Sequence, residues 1–189
     1  MILPKRPFCL IRHGQTGANR DGIIAGRTEA RLTDRGRDAA RALADHPWPC
    51  PVALFTSPQD RARETASLAF PSQTARVVED LRERDWGIFE GRPVAELPPR
   101  TSTPEGGESW HDMLARIAAA LGGCMVMAGD ALPVIVAHSG VIRAARALTG
   151  QDFTGPSAPN TTPLLYTVVS GGWREQPLTA SSQVRLQPA

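Results

Sequence analysis

Four side chains suited to phosphate chemistry fall just beyond the ends of short apolar segments. Arg12 and His13 follow the first segment, His138 follows the third, and Arg61 lies about one helical turn after the second. A guanidinium presents a fork of N–H donors that matches phosphate oxygens, and a neutral imidazole is a competent nucleophile. We predict that Arg12 and Arg61, with Asn19, bind a phosphoryl group. One histidine attacks phosphorus while the other, as imidazolium, stabilises the equatorial oxygens, and residue types leave open which is which.

A leaving alkoxide also needs a proton donor, and residues 81–91 offer three carboxylates. Glu83, Asp85 and Glu90 lie there among aromatic residues. A carboxyl group beside apolar side chains or near a dianion holds its proton more tightly, as a general acid must. Composition alone is equally typical of a solvated loop in which Arg82 and Arg84 pair locally. The pattern therefore does not choose the acid.

Metal and nucleotide chemistry are the main alternatives for a histidine-containing site. The chain has no HxH, HExxH or Cys/His ligand spacing, and it has no GxxxxGK[ST] phosphate-binding loop. His46 and His111 stand alone; the first is typical of a helix end, and the second faces either the pocket or solvent. We predict no metal and no cofactor.

The elements that must position these residues follow from apolar periodicity. Continuous apolar runs at 8–11, 52–55 and 134–137 are typical of strands buried on both faces, as in a parallel sheet. Two further strands are predicted at 75–78 and 164–169. Because ligands bind beyond the carboxyl ends of parallel strands, the histidines and Arg12 are expected to share one edge of the sheet.

Helical patterns fill the intervals between the strands. Thr33 is expected to cap a helix over 34–45, and Ser57 is expected to cap another, with Pro58 at its first position, that stops at Pro71. Further helices are predicted over 108–127 and 139–148, the last ended by Gly150. Strands alternating with helices predict an α/β fold, a three-layer α/β/α sandwich around a mostly parallel sheet.

Length and composition limit the alternatives. A chain of 189 residues with 41% hydrophobic and 21% charged residues predicts one globular domain over 1–189, with a proline-rich lid at about 91–109 and a poorly ordered tail after Gln176. A net charge of +2 argues against a nucleic-acid or membrane partner. Three cysteines without paired spacing, and the lack of a signal or membrane-spanning segment, predict a cytoplasmic protein. The oligomeric state is left open.

The ordered motifs resemble the histidine phosphatase superfamily, which includes cofactor-dependent phosphoglycerate mutases and many small phosphatases. Residues 10–19, LIRHGQTGAN, are similar to its RHGxTxxN signature, and residues 56–66, TSPQDRARETA, to its SPxxRAxxTA element. Residues 81–91 resemble its LxE…GxxEG element, and residues 105–109 with Arg116 resemble PGGES followed by Arg. Residues 137–143 match its second histidine block, and Asn160–Thr161, near the last predicted strand, also fits the family pattern. Residues 26–36 depart from the family pattern at Glu29 and Arg31. The first residue of PGGES is Glu105 here, and the expected proline is displaced to Pro104.

This resemblance implies the choices that the residue types left open. His13 becomes the nucleophile and Glu83 the proton donor. Arg12, Arg61 and His138 form the phosphate pocket, and Asn19 is a supporting contact.

The short lid favours a phosphatase within that family. Mutases of the family have a longer lid with adjacent arginines for a substrate carboxylate, whereas only Arg92 and Arg100 are basic here. Water that enters an open lid would hydrolyse the phosphohistidine. We therefore predict a metal-independent phosphomonoesterase acting on a small phosphate ester: a sugar phosphate, a nucleotide-like phosphate or the phosphorylated lower-ligand precursor of cobalamin. The alternatives are a phosphoglycerate mutase-type transferase and a regulatory module that recognises phosphate or phosphohistidine.

Overall fold

The computed structural model describes residues 2–49 and 51–182. At its centre is a sheet of six strands: β1 (Phe8–Arg12), β2 (Val52–Thr56), β3 (Arg76–Val77), β4 (Leu132–Ala137), β5 (Pro163–Val169) and β6 (Gly172–Pro177). Their order across the sheet is β3-β2-β4-β1-β5-β6. The first four strands of that order are parallel, β5 is antiparallel to β1, and β6 is antiparallel to β5. The prediction of a mostly parallel central sheet is confirmed.

Helices cover both faces of this sheet. In the described part of the chain they are α1 (Gly17–Asp21), α2 (Asp34–Ala42), α3 (Asp60–Ala69), α4 (Trp110–Met127) and α5 (Ser139–Leu148). Alternate side chains of β1 separate the two layers. Phe8 and Leu10 pack in one apolar cluster with α4 and α5, whereas Cys9 and Ile11 pack in another with α3. This arrangement is the predicted three-layer α/β/α sandwich.

The helix starts show one correct and one wrong prediction. Thr33 caps α2 as predicted, because its Oγ1 accepts a hydrogen bond from the backbone N–H of Gly36. The prediction that Ser57 caps the next helix is wrong. That helix begins at Asp60, and the Ser57 hydroxyl is instead hydrogen-bonded to His138. A buried contact between two strand ends has overridden the local capping preference.

The sheet has one strand, β6, that the sequence did not predict. Strand β6 pairs with β5 over six residue pairs from Leu164 with Pro177 to Val169 with Gly172, although its sequence, GWREQP, is largely polar. Leu178 follows it and is buried, so the tail predicted to be poorly ordered after Gln176 begins in ordered structure. Residues 183–189, the rest of that predicted tail, lie outside the described residues.

The segment predicted as a lid is mostly irregular. Residues 91–109 contain a 3₁₀ turn at Val94–Glu96 and otherwise turns and extended backbone. Arg84, buried beneath it, donates hydrogen bonds to the carbonyl oxygens of Arg100, Ser102 and Glu108. These bonds fix the segment over the carboxyl edge of the sheet. That it acts as a lid stays a prediction.

Candidate active site

His13 stands at the carboxyl end of β1, and its surroundings define its tautomer. Its backbone N–H donates to the carbonyl of Ala137, and its side chain is almost fully buried. Nδ1 lies 2.8 Å from the carbonyl oxygen of Gly14, which can only accept, so Nδ1 carries the proton and Nε2 keeps a lone pair. Burial, followed by the charge of Arg61, lowers the pKa of His13 well below its ordinary value. His13 is therefore a neutral imidazole with an unprotonated Nε2.

His138 occupies the same position after β4, beside His13. The two rings are 5.2 Å apart between centroids and inclined at 60°. The Nε2 atom of His138 lies 2.7 Å from Ser57 Oγ, and its Nδ1 is buried without a partner among the described residues. Burial, followed by the charge of Arg61, lowers the pKa of His138 well below its ordinary value. Removal from water and a nearby cation thus favour a neutral His138 in the ligand-free protein. The expectation of an imidazolium applies to the site with phosphate bound and stays a prediction.

Arg61 lies beneath these histidines in the first turn of α3 and is 2% exposed. Its Nη1 and Nη2 atoms donate to carbonyl oxygens of one loop, those of Ala25, Gly26 and Thr28, at 2.8–3.1 Å. A guanidinium has five N–H donors, so two remain for another ligand. Arg61 thus orders the loop and also brings positive charge to both histidines.

Arg12 and Asn19 complete the polar end of the site. Arg12 Nη1 donates to the carbonyl of Ala158, while its Nε is buried without a partner in the described structure. Asn160, which the sequence matched without a role, donates to the carbonyl oxygen of His13 at 2.6 Å and to Asn19 Oδ1 at 3.3 Å. The side-chain amide of Asn19 is therefore oriented with its own N–H donors free for a ligand.

The fold separates the three candidate acids. Glu83 accepts hydrogen bonds from the backbone N–H groups of Gly140 and Arg84 at 2.9 and 2.8 Å, and it lies at the start of α5 next to His138. Asp85 accepts from the backbone of Gly87 and pairs with Arg27. Glu90 accepts from the backbone N–H groups of residues 26, 27 and 28. Only Glu83 among them lines the cleft described next.

The polar end opens into a cleft of about 110 Å³. Its volume is well below the roughly 300–1,000 Å³ of pockets that enclose drug-sized molecules, so it suits a small ligand. The segment 91–109 contributes Val94, Leu97 and Arg100 to its wall, and Trp86 adds an aromatic surface. His138 and Arg61 are buried and do not line this cleft. Three larger depressions of the described surface have no histidine in their walls, and Arg61 lines one of them. The cleft is also lined by Arg12, His13, Asn19 and Glu83.

Comparison with known proteins places this geometry in a family. The sequence profile described as the histidine phosphatase superfamily (branch 1) matches residues 8–176, which include all of the residues just described. The chain belongs to the histidine phosphatase superfamily. The resemblance drawn from the ordered motifs is thereby confirmed. Superfamily members are phosphatases or mutases, and their shared chemistry is phosphoryl transfer.

Relatives within the histidine phosphatase superfamily carry both kinds of name. The "Probable phosphoglycerate mutase GpmB" of Klebsiella pneumoniae is 29% identical over 145 residues, covering 68% of this chain and 67% of its own. The "Probable phosphatase C1687.21" of Schizosaccharomyces pombe is 40% identical over 91 residues, 46% of this chain and 44% of its own. The crystal structure of TTHB049 from Thermus thermophilus is 30% identical, covers 92% of this chain and 99% of its own, and superposes with a TM-score of 0.72. The alpha-ribazole phosphatase of Shigella flexneri shares the fold at 22% identity, with a TM-score of 0.77 and coverage of 92% and 96%.

Several residues of this histidine phosphatase site have roles that sequence reasoning missed. The Ser57 hydroxyl is hydrogen-bonded to His138 rather than capping a helix. The side-chain oxygen of Gln59, the N-cap residue of α3, accepts from the backbone N–H of Glu83. Arg84, interpreted as one partner in a charged loop, is 1% exposed and stacks 4.5 Å from the ring centre of Trp86. Arg100 reaches the cleft from a segment whose composition suggested little charge. The family motifs contained Ser57 as a signal, but neither Arg84 nor Arg100 stands out in the sequence.

The described residues contain no cluster of three or more histidine, cysteine or acidic side chains placed to hold a metal ion. Across residues 2–49 and 51–182, none of the helices is both long and apolar enough to cross a membrane.

Proposed function

We propose that the protein is a phosphomonoesterase that hydrolyses a small phosphorylated metabolite through a phosphohistidine on His13. The observation that carries this proposal is the tautomer of His13. Its Nδ1–H is committed to the carbonyl of Gly14, so the nucleophilic lone pair is held on Nε2. Its neutral state near pH 7 keeps that lone pair available.

In the proposed first step, the donors of Arg12, Arg61, Asn19 and His138 bind the phosphoryl oxygens. Nε2 of His13 attacks phosphorus, and the bond from phosphorus to the ester oxygen breaks. Glu83 gives its proton to that oxygen, so the alcohol leaves in neutral form.

In the second step, Glu83 removes a proton from water, and the resulting hydroxide attacks the phosphohistidine. The nitrogen–phosphorus bond breaks, inorganic phosphate forms, and His13 regains its lone pair. The position of Glu83 on the lining of the cleft supports both proton transfers. Neither step needs a metal ion.

Mutase activity is the second candidate, and the names of the Klebsiella relatives favour it. A mutase must return the phosphoryl group to the bound organic acid before water reaches it. The short segment 91–109, with Arg100 as the cation that it brings to the cleft, supports water as acceptor. A regulatory module without catalysis would have no use for an unprotonated Nε2 beside a proton donor.

The experiment that tests the proposal combines turnover with trapping. Purified protein should hydrolyse 4-nitrophenyl phosphate in the presence of EDTA, and rapid quench with labelled substrate should give an acid-labile, base-stable phosphoryl group. The His13→Ala variant should lose both signals. Activity that EDTA abolishes and a divalent ion restores, or label that remains in the variant, would contradict the mechanism. A panel of phosphate monoesters that includes sugar phosphates, nucleotides and α-ribazole 5′-phosphate then identifies the substrate.

The role of Glu83 is tested by changing the leaving group. An alkoxide needs a proton to depart whereas nitrophenolate does not, so Glu83→Gln should cost about 10²–10⁴-fold on an alkyl phosphate and much less on the aryl ester. Equal losses on both would show that Glu83 binds or positions the substrate. With 3-phosphoglycerate and a bisphosphoglycerate primer, release of phosphate should outpace formation of 2-phosphoglycerate. The reverse order would establish the mutase.

A further inference from the structure

Ser57 is hydrogen-bonded to His138 and takes no part in the proposed reaction steps. Its side chain is fully buried at the carboxyl end of β2, which is adjacent to β4 in the sheet. Ser57 Oγ lies 2.7 Å from His138 Nε2 and 3.4 Å from the backbone nitrogen of Gln59. Both groups are sealed from water, so the direction of each hydrogen bond is set by the partners present.

The partners of Ser57 Oγ fix that direction. The N–H of Gln59 can only donate, so the hydroxyl oxygen accepts from it. The hydroxyl proton then needs an acceptor, and among the described residues the atom within reach is His138 Nε2. If Nε2–H donated to Ser57 instead, the hydroxyl proton and the Nδ1 lone pair would both be buried without partners among the described residues. Donation by Ser57 leaves one such group, Nδ1–H, and each unsatisfied buried group is costly. Ser57 therefore donates to Nε2, and the proton of neutral His138 resides on Nδ1.

That assignment explains the unpartnered atom of His138. Nδ1 is buried and has no partner in the described structure, and such atoms are rare in folded proteins unless a ligand completes them. With Nδ1 protonated, it is a donor available to a ligand on a ring whose centroid lies 5.2 Å from that of His13. In the opposite tautomer, Nδ1 would present a lone pair to phosphoryl oxygens and repel them.

We propose that Ser57 is a positioning residue that selects the Nδ1–H tautomer of His138, so that a neutral His138 donates a hydrogen bond to the phosphoryl group. The proposal rests on the proposed function of the site and adds how its second histidine works. A protonated His138 is not required. The charged and titratable groups that act on His138 are Arg61 on α3, His13 and Arg12 at the end of β1, and Arg116 on α4. The carboxylate of Glu83 accepts from the backbone N–H of Gly140, two residues after His138.

Nuclear magnetic resonance of ¹⁵N-histidine-labelled protein tests the tautomer directly. In ligand-free wild-type protein at pH 7.5, His138 should show a protonated Nδ1 and an unprotonated Nε2, and its signals are identified by their loss in His138→Gln. Inorganic phosphate should shift the Nδ1 resonance. In Ser57→Ala, the proton should move wholly or partly to Nε2. A wild-type His138 protonated on Nε2, or on both nitrogens, would overturn the proposal.

Kinetics give the second readout. Removing a transition-state donor outright costs about 10²–10³-fold in kcat, and Ser57→Ala only depopulates the competent tautomer, so kcat should fall roughly 10- to 100-fold. In Ser57→Ala, activity should recover partly as the pH falls and His138 gains a second proton. Ser57→Thr keeps the hydroxyl and should retain both the tautomer and most of kcat. Ser67→Ala, an exposed serine on α3, is the matched control and should be unchanged.

The outcomes separate this inference from the proposed function. A wild-type protein that hydrolyses no monoester but holds His138 in the Nδ1–H form contradicts the function and leaves the positioning role standing. A protein that hydrolyses monoesters with His138 in the Nε2–H form contradicts the positioning role alone. Loss of activity in Ser57→Ala with an unchanged tautomer would overturn it too, because Ser57 would then act only through packing.

Discussion

The two buried histidines should make the protein lose stability when the pH falls from 7.5 to 5.5. Both have a pKa lowered well below the ordinary value of about 6.5, with burial as the largest cause. In the unfolded chain each histidine takes up a proton across this range, whereas in the folded protein the lowered pKa opposes that uptake. The unfolded state therefore binds more protons, so the free energy of unfolding rises with pH and is lost on acidification.

The magnitude follows from that linkage. A histidine with an unfolded pKa of about 6.5 that stays neutral when folded loses about 1.4 kcal/mol of stability between pH 7.5 and 5.5. His13 and His138 together therefore contribute about 2.7 kcal/mol. Burial also lowers the pKa of His46, which adds to the loss in the same direction. Carboxylates with lowered pKa, such as Glu175, act at more acidic pH than this window.

The assay is urea unfolding at several pH values in buffers without phosphate, because a bound anion would stabilise the folded state and obscure the effect. Substitution isolates the site contribution from that of His46. His13→Gln and His138→Gln should each lose about 1.4 kcal/mol less stability on acidification than the wild type. Variants that lose as much as the wild type would show that the native histidines titrate like free ones. A wild type that becomes more stable on acidification would refute the sign of the argument.

Two further predictions concern residues that support the site. Arg84→Met should destabilise the protein by roughly 2–3 kcal/mol, because it leaves the carbonyls of the segment 91–109 without their charged donor. The control is Arg82→Met at a neighbouring exposed side chain, which should change the free energy of unfolding by no more than about 0.5 kcal/mol. Equal effects of the two substitutions in chemical denaturation would contradict the buried role of Arg84. Gly140→Ala should displace the carboxylate of Glu83, since a Cβ at position 140 would overlap Glu83 Oε1, and should reduce kcat while Gly123→Ala, in open space on α4, leaves kcat unchanged. Full activity of Gly140→Ala would show that the carboxylate has another position in solution.

The sequence was sufficient for the parts of the fold that depend on local pattern. Continuous apolar runs predicted β1, β2 and β4, because strands buried on both faces need apolar side chains at every position. It could not predict β6, whose polar sequence forms a strand only because β5 offers an unpaired edge. The Ser57 cap failed for the same reason, since a contact with a residue 81 positions away outweighed a local preference.

The sequence predicted the candidate site residues from residue type and family pattern, but the fold was needed to show what each of them contacts. Glu83, Asp85 and Glu90 are all carboxylates in one short segment, so residue type does not distinguish them. Their backbone partners do, because Glu83 lies on the cleft whereas the other two hold loops. Gly14 packs closely against the backbone of Gly36, and Gly140 leaves room for Glu83. Such close approaches are set by tertiary packing and have no local signal.

The loop at residues 25–28 shows how this site gains rigidity without regular secondary structure. Arg61 donates to its carbonyl groups from one side, while Glu90 accepts from its N–H groups on the other. Gln59 connects the same loop to the acid, because its amide donates to the carbonyl of Gly26 and accepts from the backbone N–H of Glu83. Buried backbone groups that are all paired resist local movement, since any displacement leaves several of them unsatisfied. The distance between the loop and Glu83 is therefore held with the help of Arg61, whose charge adds to the effect of burial in lowering the pKa of both histidines.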